Sequence, residues 1–120
     1  MLLVTAGLVL ASAAPAEAGR RVEDSYCSPS GDYCESVFRK RGVRFLAFAT
    51  FSLRGSLRVC VTPPQGEATC RKRRMRETAD GVYELQMRWS TSFARAGKGR
   101  YRVRFSQGGF KAPSLTFRVR

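Results

Sequence analysis

Hydrophobic and polar side chains alternate in short runs from residue 33 to residue 120, and turn residues such as Gly and Pro separate the runs. A two-residue period is typical of β-strands that bury one face. The predicted strands are Tyr33–Arg39, Val43–Phe51, Leu57–Thr62, Ala68–Met75, Val82–Trp89, Arg100–Ser106 and Ser114–Arg120. No helical period longer than one turn interrupts them, so this part of the chain is predicted to be one all-β domain.

The first 18 residues, MLLVTAGLVLASAAPAEA, have a different pattern. An apolar run is followed by a small-residue tract ending in Ala16, Glu17 and Ala18, the A-x-A pattern that signal peptidase accepts. The apolar run is shorter than the roughly 20 residues that span a bilayer. We therefore predict a signal peptide over residues 1–18, a polar lead-in with the first disulfide loop over residues 19–32, and a β-sandwich domain over residues 33–120.

Four cysteines in an exported chain predict two disulfides. Cys60 and Cys70 fall directly opposite each other if the hairpin that contains them is centred on Gln65. Cys27 and Cys34 enclose the turn-rich sequence SPSGDY. The sequence therefore predicts the disulfides Cys27–Cys34 and Cys60–Cys70.

About seven strands in a domain of this size favour a two-sheet antiparallel β-sandwich. The stretch GKGRYRVRF places Tyr101 at the start of a strand after a glycine-rich loop, which resembles the tyrosine corner of immunoglobulin-like and fibronectin-III-like domains. This resemblance to small secreted immunoglobulin-like domains implies that the third, fourth, sixth and seventh predicted strands form one sheet. The other three predicted strands would form the second sheet. The resemblance concerns architecture and carries over no functional residue.

The composition argues against the common types of catalytic site. The chain has no His, so it lacks the usual general base and the HExxH zinc motif. Oxidised cysteines are neither nucleophiles nor metal ligands, and nothing in the sequence marks a facing pair of carboxylates. Trp89 ends an alternating run with Tyr83, Leu85 and Met87 and is predicted to lie in the core. We expect a protein that is not an enzyme and has no cofactor and no metal.

The charge is strongly unbalanced, with 22 Lys and Arg residues against 9 Asp and Glu residues and a net charge of +13. Arginine is far commoner than lysine, and Asn and Ile are absent, which is typical of a GC-rich genome such as an actinobacterial one. Codon bias that exchanges Lys for Arg leaves net charge unchanged. The excess of bases therefore needs another explanation.

Strand alternation predicts that most of these bases share one surface. Because Leu57, Val59 and Val61 form an apolar row, their neighbours in the sequence point to solvent. In the last hairpin, pairing about residue 110 would set Arg102 against Arg118 and Arg100 against Arg120. The predicted basic surface comprises Arg58, Lys72, Arg74, Arg76, Arg100, Arg102, Arg104, Arg118 and Arg120. The other sheet is predicted to expose mixed charges, namely Glu35, Arg39, Arg44, Glu84 and Arg88.

These expectations favour a secreted, monomeric binding module that attaches through its basic surface to an anionic extracellular polymer or membrane surface. The predicted surface lacks interleaved aromatic residues, so recognition of a specific nucleic-acid sequence is not expected. Two alternatives stay open. One is a protein-interaction or inhibitor module that acts through the loops CSPSGDYC or STSFARAGKG. The other is a small-molecule carrier in which Phe45, Phe48 and Phe51 line a cleft between the sheets.

Overall fold

A computed structural model describes residues 19–93 and 96–120 of the chain. The predicted signal peptide lies outside these residues. The described residues form ten strands and one turn of helix: β1 (Arg20–Cys27), β2 (Tyr33–Lys40), β3 (Val43–Thr50), β4 (Ser56–Thr62), β5 (Thr69–Arg74), β6 (Arg76–Ala79), β7 (Val82–Arg88), α1 (Trp89–Ser92), β8 (Gly99–Gln107), β9 (Phe110–Lys111) and β10 (Leu115–Val119).

The strands form two antiparallel sheets that pack as a β-sandwich. The first sheet has the order β1-β2-β3-β7-β6, and the second has the order β10-β8-β4-β5 with β9 paired to β8. The seven predicted strands are confirmed, each within one residue of the predicted bounds. Their predicted division between the two sheets is also confirmed, since β4, β5, β8 and β10 lie together.

Three strands were not predicted from the sequence. β1 lies in the predicted polar lead-in, and it pairs with β2 along its whole length. Its sequence, RRVEDSYC, lacks an apolar row, because its carboxylates bind polar groups of other strands instead of entering an apolar core. β6 (RETA) is exposed throughout, and β9 has only two residues, so neither carries a hydrophobic period.

The core lies between the sheets and is rich in aromatic rings. Tyr101, Phe48 and Phe105 are buried almost completely. Trp89 is buried too, with ring centroids 5.2 Å from those of Tyr101 and Phe117, so its predicted place in the core is confirmed. The hydroxyl of Tyr101 donates a hydrogen bond to the carbonyl oxygen of Gly97 (2.7 Å) and accepts one from the Ala96 amide (2.9 Å). The backbone contact expected of a tyrosine corner is therefore present.

Both predicted disulfides are confirmed. Cys27 pairs with Cys34 across the β1–β2 hairpin, and Cys60 pairs with Cys70 across the β4–β5 hairpin. The predicted register of the second hairpin also holds, since Arg58 stands opposite Lys72. Each disulfide links directly opposed residues of neighbouring strands.

The predicted register of the last hairpin is wrong by two residues. Arg118 stands opposite Arg100, and Thr116 stands opposite Arg102. The chain turns at Gly108, which has a φ of +55°, and Phe110 pairs back onto Gln107, so the turn lies earlier than the predicted centre at residue 110. Because a shift of two residues preserves the alternation, the outward side chains of β8 and β10 remain outward.

Two ionisable residues predicted to be exposed on the first sheet lie in the interior instead. Glu35 is 1 % exposed, and the side chain of Arg44 is 9 % exposed. Glu35 shares the inner side of β2 with Val37, and Arg44 shares the inner side of β3 with Leu46 and Phe48. Phe45 faces the other way and stacks on Phe38 at the outer surface of this sheet.

Candidate anion-binding face

The outer surface of the second sheet carries most of the predicted basic residues. The strands of this sheet contain no Asp and no Glu. We call the basic face the outward, exposed side chains of Arg58, Lys72, Arg74, Arg100, Arg102, Arg104 and Arg118. Seven of the nine predicted site residues are therefore brought together on one surface.

The other two predicted residues lie elsewhere. Arg76 begins β6, so it belongs to the first sheet, where it stands opposite Glu84. The chain passes from one sheet to the other at Met75, whose side chain is buried and whose amide donates to the carbonyl oxygen of Gly55 (2.8 Å). Arg120 follows the end of β10 and lines a groove at the edge of the sandwich. The continuous basic run in the sequence hides the point at which the chain changes sheets.

Hydroxyl groups alternate with the cations on the basic face. Strand pairing sets Arg58 between Lys72 and Ser106. It likewise sets Arg102 between Thr62 and Thr116. The guanidinium of Arg104 donates to the hydroxyl of Ser114 (3.1 Å). The face is therefore a mixed array of guanidinium, ammonium and hydroxyl donors rather than an unbroken grid of arginines.

Two shallow depressions repeat the same combination of groups. One is lined by Arg58 and Lys72 together with the hydroxyl residues Ser56 and Ser106. The other is lined by Arg102, Arg104, Thr62 and Ser114, together with Cys60. Each offers two positive charges and two hydroxyl donors, the set of groups that binds oxyanions through charge-assisted hydrogen bonds.

Like charges stand opposite each other at two places on this face, Arg58 with Lys72 and Arg100 with Arg118. Within the described residues, none of these four side chains forms an ion pair with a carboxylate. Directly opposed like charges destabilise a sheet. An anion bound between them would remove that repulsion.

Glu35 has the largest pKa shift among the described residues, and no pattern in the sequence indicates it. The pKa of this carboxyl is raised to about 8, mainly by burial and to a lesser extent by the charge of Asp24, while the charge of Arg104 lowers it. With 1 % of its surface exposed, Glu35 is closed off from any ligand in solution. Glu35 therefore affects the stability of the fold and does not act on a substrate.

The residues named for the alternative functions lie apart. Phe48 is in the core, Phe45 is on the outer side of the first sheet, and Phe51 is 59 % exposed, so the three do not share one cleft. The loop between Cys27 and Cys34 is braced by backbone hydrogen bonds from Ser28 to Tyr33 and from Gly31 to Ser28, both 2.9 Å. Across residues 19–93 and 96–120, no group of three or more acidic or cysteine residues is placed to hold a metal ion.

Comparisons of this chain with protein-family models, with curated proteins and with solved structures found no match. Among the described residues, no helix has both the length and the apolar character needed to cross a membrane.

Proposed function

We propose that this protein is a secreted, non-enzymatic binding module whose basic face attaches it to an anionic extracellular polymer or membrane surface. The observation that carries the proposal is the outer surface of the second sheet, where seven exposed bases stand on strands without any acid. A surface patch of one charge sign is evidence about binding partners and not about the fold.

Protection of sheet edges does not account for this surface. Charged residues on edge strands prevent edge-to-edge aggregation, which explains the bases of β5. Arg58, Arg102 and Arg104 lie on β4 and β8, which are the two inner strands of the sheet. Bases on inner strands have no edge to protect, so a ligand is the better explanation.

The two depressions on the basic face favour a polymer over a single small anion. They lie at opposite ends of β4, since one includes Arg58 and the other Thr62. Four residues of an antiparallel strand span about 13 Å. A flexible chain with repeated phosphate or sulfate groups, or a surface of anionic headgroups, can occupy both depressions at once.

Secretion belongs to the same proposal. Its support is the signal-like sequence of residues 1–18 together with two disulfides, which persist in oxidising compartments. The tyrosine corner at Tyr101 and the division of strands between the sheets support an immunoglobulin-like architecture. The arginine-rich composition supports an actinobacterial source.

The test is the salt dependence of binding to a duplex DNA oligonucleotide, used as a uniform phosphodiester probe. Four to six neutralised phosphates predict that log K falls against log salt with a slope of about −3.5 to −5.5. Replacing both members of an opposed pair, Arg58→Gln with Lys72→Gln, should flatten the slope by about 1.8. Vesicles with and without anionic lipid, run in parallel, distinguish a membrane surface from a polymer.

A matched control removes two charges from the other sheet, Arg76→Gln with Arg88→Gln. Both residues are exposed and neither lies on the basic face. The control variant should keep a slope close to that of the unmodified protein. The proposal fails if the unmodified protein does not bind at low salt, or if the two double variants flatten the slope equally.

One observation favours a second candidate, a loop-mediated protein partner. The exposed ring of Phe51 lies beside the disulfide loop, and its amide donates to the carbonyl oxygen of Asp32 (2.9 Å). An exposed aromatic ring on a braced loop is a common anchor in protein interfaces. Phe51→Ser should abolish binding to such a partner and leave the salt slope with DNA unchanged.

A further inference from the structure

A groove of about 750 Å³ runs along one side of the sandwich, where the edge strands β1 and β10 meet. Both sheets contribute to its walls, and its lining is dominated by arginine. The arginines that line it are Arg21, Arg39, Arg44, Arg100, Arg118 and Arg120.

Strand pairing places these arginines in two rows. Arg21, Arg39 and Arg44 stand opposite one another in succession across β1, β2 and β3 of the first sheet. Arg100 and Arg118 stand opposite each other across β8 and β10 of the second sheet. Directly opposed residues on neighbouring strands have Cβ atoms only about 5 Å apart. The groove is therefore lined by arginines of both sheets.

Glu23 is the one acidic residue in the lining, and it is already paired. A β-bulge between Val22 and Asp24 sets it out of the regular register. Its carboxylate binds Arg44 through two contacts, Nε to Oε1 at 2.6 Å and Nη2 to Oε2 at 2.9 Å. Bulges commonly redirect a side chain next to a functional site. The side chains of the six arginines and the one glutamate give the lining a net side-chain charge of +5.

Arg44 is a fixed wall of the groove rather than a mobile ligand-binding group. Its guanidinium lies 4.4 Å from the ring centroid of Phe117 and donates to the backbone oxygen of Arg118 (3.4 Å). It thus ties the inner side of the first sheet to the edge strand of the second. The exposed arginines of the lining are left to contact a ligand, namely Arg21, Arg39, Arg100, Arg118 and Arg120.

We infer that this groove is a separate binding site for a compact, multiply charged phosphate group, such as a terminal phosphate monoester or a pyrophosphate. A phosphate monoester carries about −1.5 to −2 charge at neutral pH, and guanidinium groups bind its oxygens in bidentate fashion. The volume lies in the range of about 300 to 1,000 Å³ that is usual for small-ligand sites. A polar, arginine-lined groove suits an anion and not an apolar molecule.

The groove is distinct from the basic face, although the two adjoin. Arg100 and Arg118 belong to both, whereas Arg21 and Arg39 belong only to the groove. Arg58 and Lys72 belong only to the face. A polymer lying on the face would be held by single charges along its length, while the groove surrounds one dense charge from two sides.

The test uses tripolyphosphate as the probe and isothermal titration calorimetry at about 0.15 M salt, where contacts on an open surface are screened. The expected result is saturable binding of one tripolyphosphate per chain, with citrate, a carboxylate that has less negative charge at neutral pH, binding more weakly. Arg21→Gln with Arg39→Gln should weaken tripolyphosphate binding at least about tenfold, because charge-assisted hydrogen bonds are lost. Both residues are exposed, so the fold should be unaffected.

Two controls lose the same number of charges elsewhere, Arg58→Gln with Lys72→Gln on the basic face and Arg76→Gln with Arg88→Gln on the first sheet. Both should bind tripolyphosphate within about threefold of the unmodified protein. Equal weakening in all three double variants, or no saturation, would overturn the inference, and equal affinity for citrate would overturn the assignment to phosphate. The function of the basic face is tested by the salt slope with DNA, and the groove is tested by tripolyphosphate binding. Either proposal can therefore fail without the other.

Discussion

At the scale of single residues, the inner side of the first sheet holds an ion pair and a carboxyl group that has no hydrogen-bond partner among the described residues. Arg44 and Glu23 are charged partners that satisfy each other. Glu35 has neither of its carboxyl oxygens in a hydrogen bond within the described residues. Because burial raises the pKa of Glu35 to about 8, this side chain is mainly protonated at neutral pH. A buried carboxyl of this kind avoids the cost of an unpaired buried charge.

Glu35 should make the protein less stable as the pH rises. Its pKa is higher in the folded state than in the unfolded chain, so the folded state binds more protons between these two values. The stability is fully present below about pH 4.5 and is lost as the pH rises towards the folded pKa of about 8. According to proton linkage, the free energy of unfolding should fall by up to about 1.4 kcal/mol for each pH unit in this window.

Urea unfolding measured at several pH values between about 5 and 8 checks this prediction. Glu35→Gln, which cannot ionise, should have a free energy of unfolding that changes much less over this range. Glu84→Gln, on an exposed residue, is the matched control and should follow the unmodified protein. Parallel pH profiles for Glu35→Gln and the unmodified protein would contradict the prediction.

At the scale of the strands, the position of β8 decides where the basic residues stand. β8 is an inner strand that pairs with both β10 and β4, so its start sets the register of Arg100 and Arg102. It begins at Gly99, which has a φ of +129°. A Cβ at this position would lie 2.8 Å from Cγ of Pro64 in the β4–β5 turn. Both the backbone conformation and the contact therefore require glycine here.

Gly99→Ala should destabilise the protein by about 2 to 4 kcal/mol, from backbone strain together with the clash against the Pro64 ring. Gly81→Ala is the matched control, because Gly81 also has a positive φ (+79°) but has nothing within 4 Å of an added Cβ. The control should cost about 1 to 2 kcal/mol. Denaturant unfolding of both variants measures the difference, and equal losses would show that the contact with Pro64 carries no weight.

At the scale of the whole molecule, the excess of positive charge opposes folding. The chain has 22 bases and 9 acids, and strand pairing brings like charges together at Arg58 and Lys72, Arg100 and Arg118, and Arg21 and Arg39. Each opposed pair costs a few tenths of a kcal/mol or more at low salt. Dissolved ions screen these repulsions, so the native state should be more stable at higher ionic strength.

Raising NaCl from about 10 to 300 mM should therefore raise the melting temperature by about 4 to 8 °C, which corresponds to about 1 kcal/mol in a domain of this size. Arg58→Gln with Lys72→Gln should start from a higher melting temperature at low salt and gain less from added NaCl. Arg76→Gln with Glu84→Gln, an opposed pair of unlike charges, provides the control and should not start higher. A melting temperature that falls with salt would contradict this account.

Local alternation was enough to determine much of the fold. The strands with one apolar row were predicted within a residue of their bounds, because burial of one face imposes a two-residue period. The Cys60–Cys70 register followed from a short hairpin, in which the turn fixes the pairing. For the same reason seven of the nine bases were assigned correctly to one outward surface.

The remaining features depend on groups that are distant in the sequence, and only the tertiary structure decided them. β1 has no apolar row because its acids face Arg44 and the Thr116 amide, which Asp24 binds at 2.8 Å. Arg76 changes sheets because the chain crosses at Met75. Glu35 is buried, and the arginine groove is formed, because strands from both sheets close over the same space. A period along one strand cannot encode what another strand places opposite it.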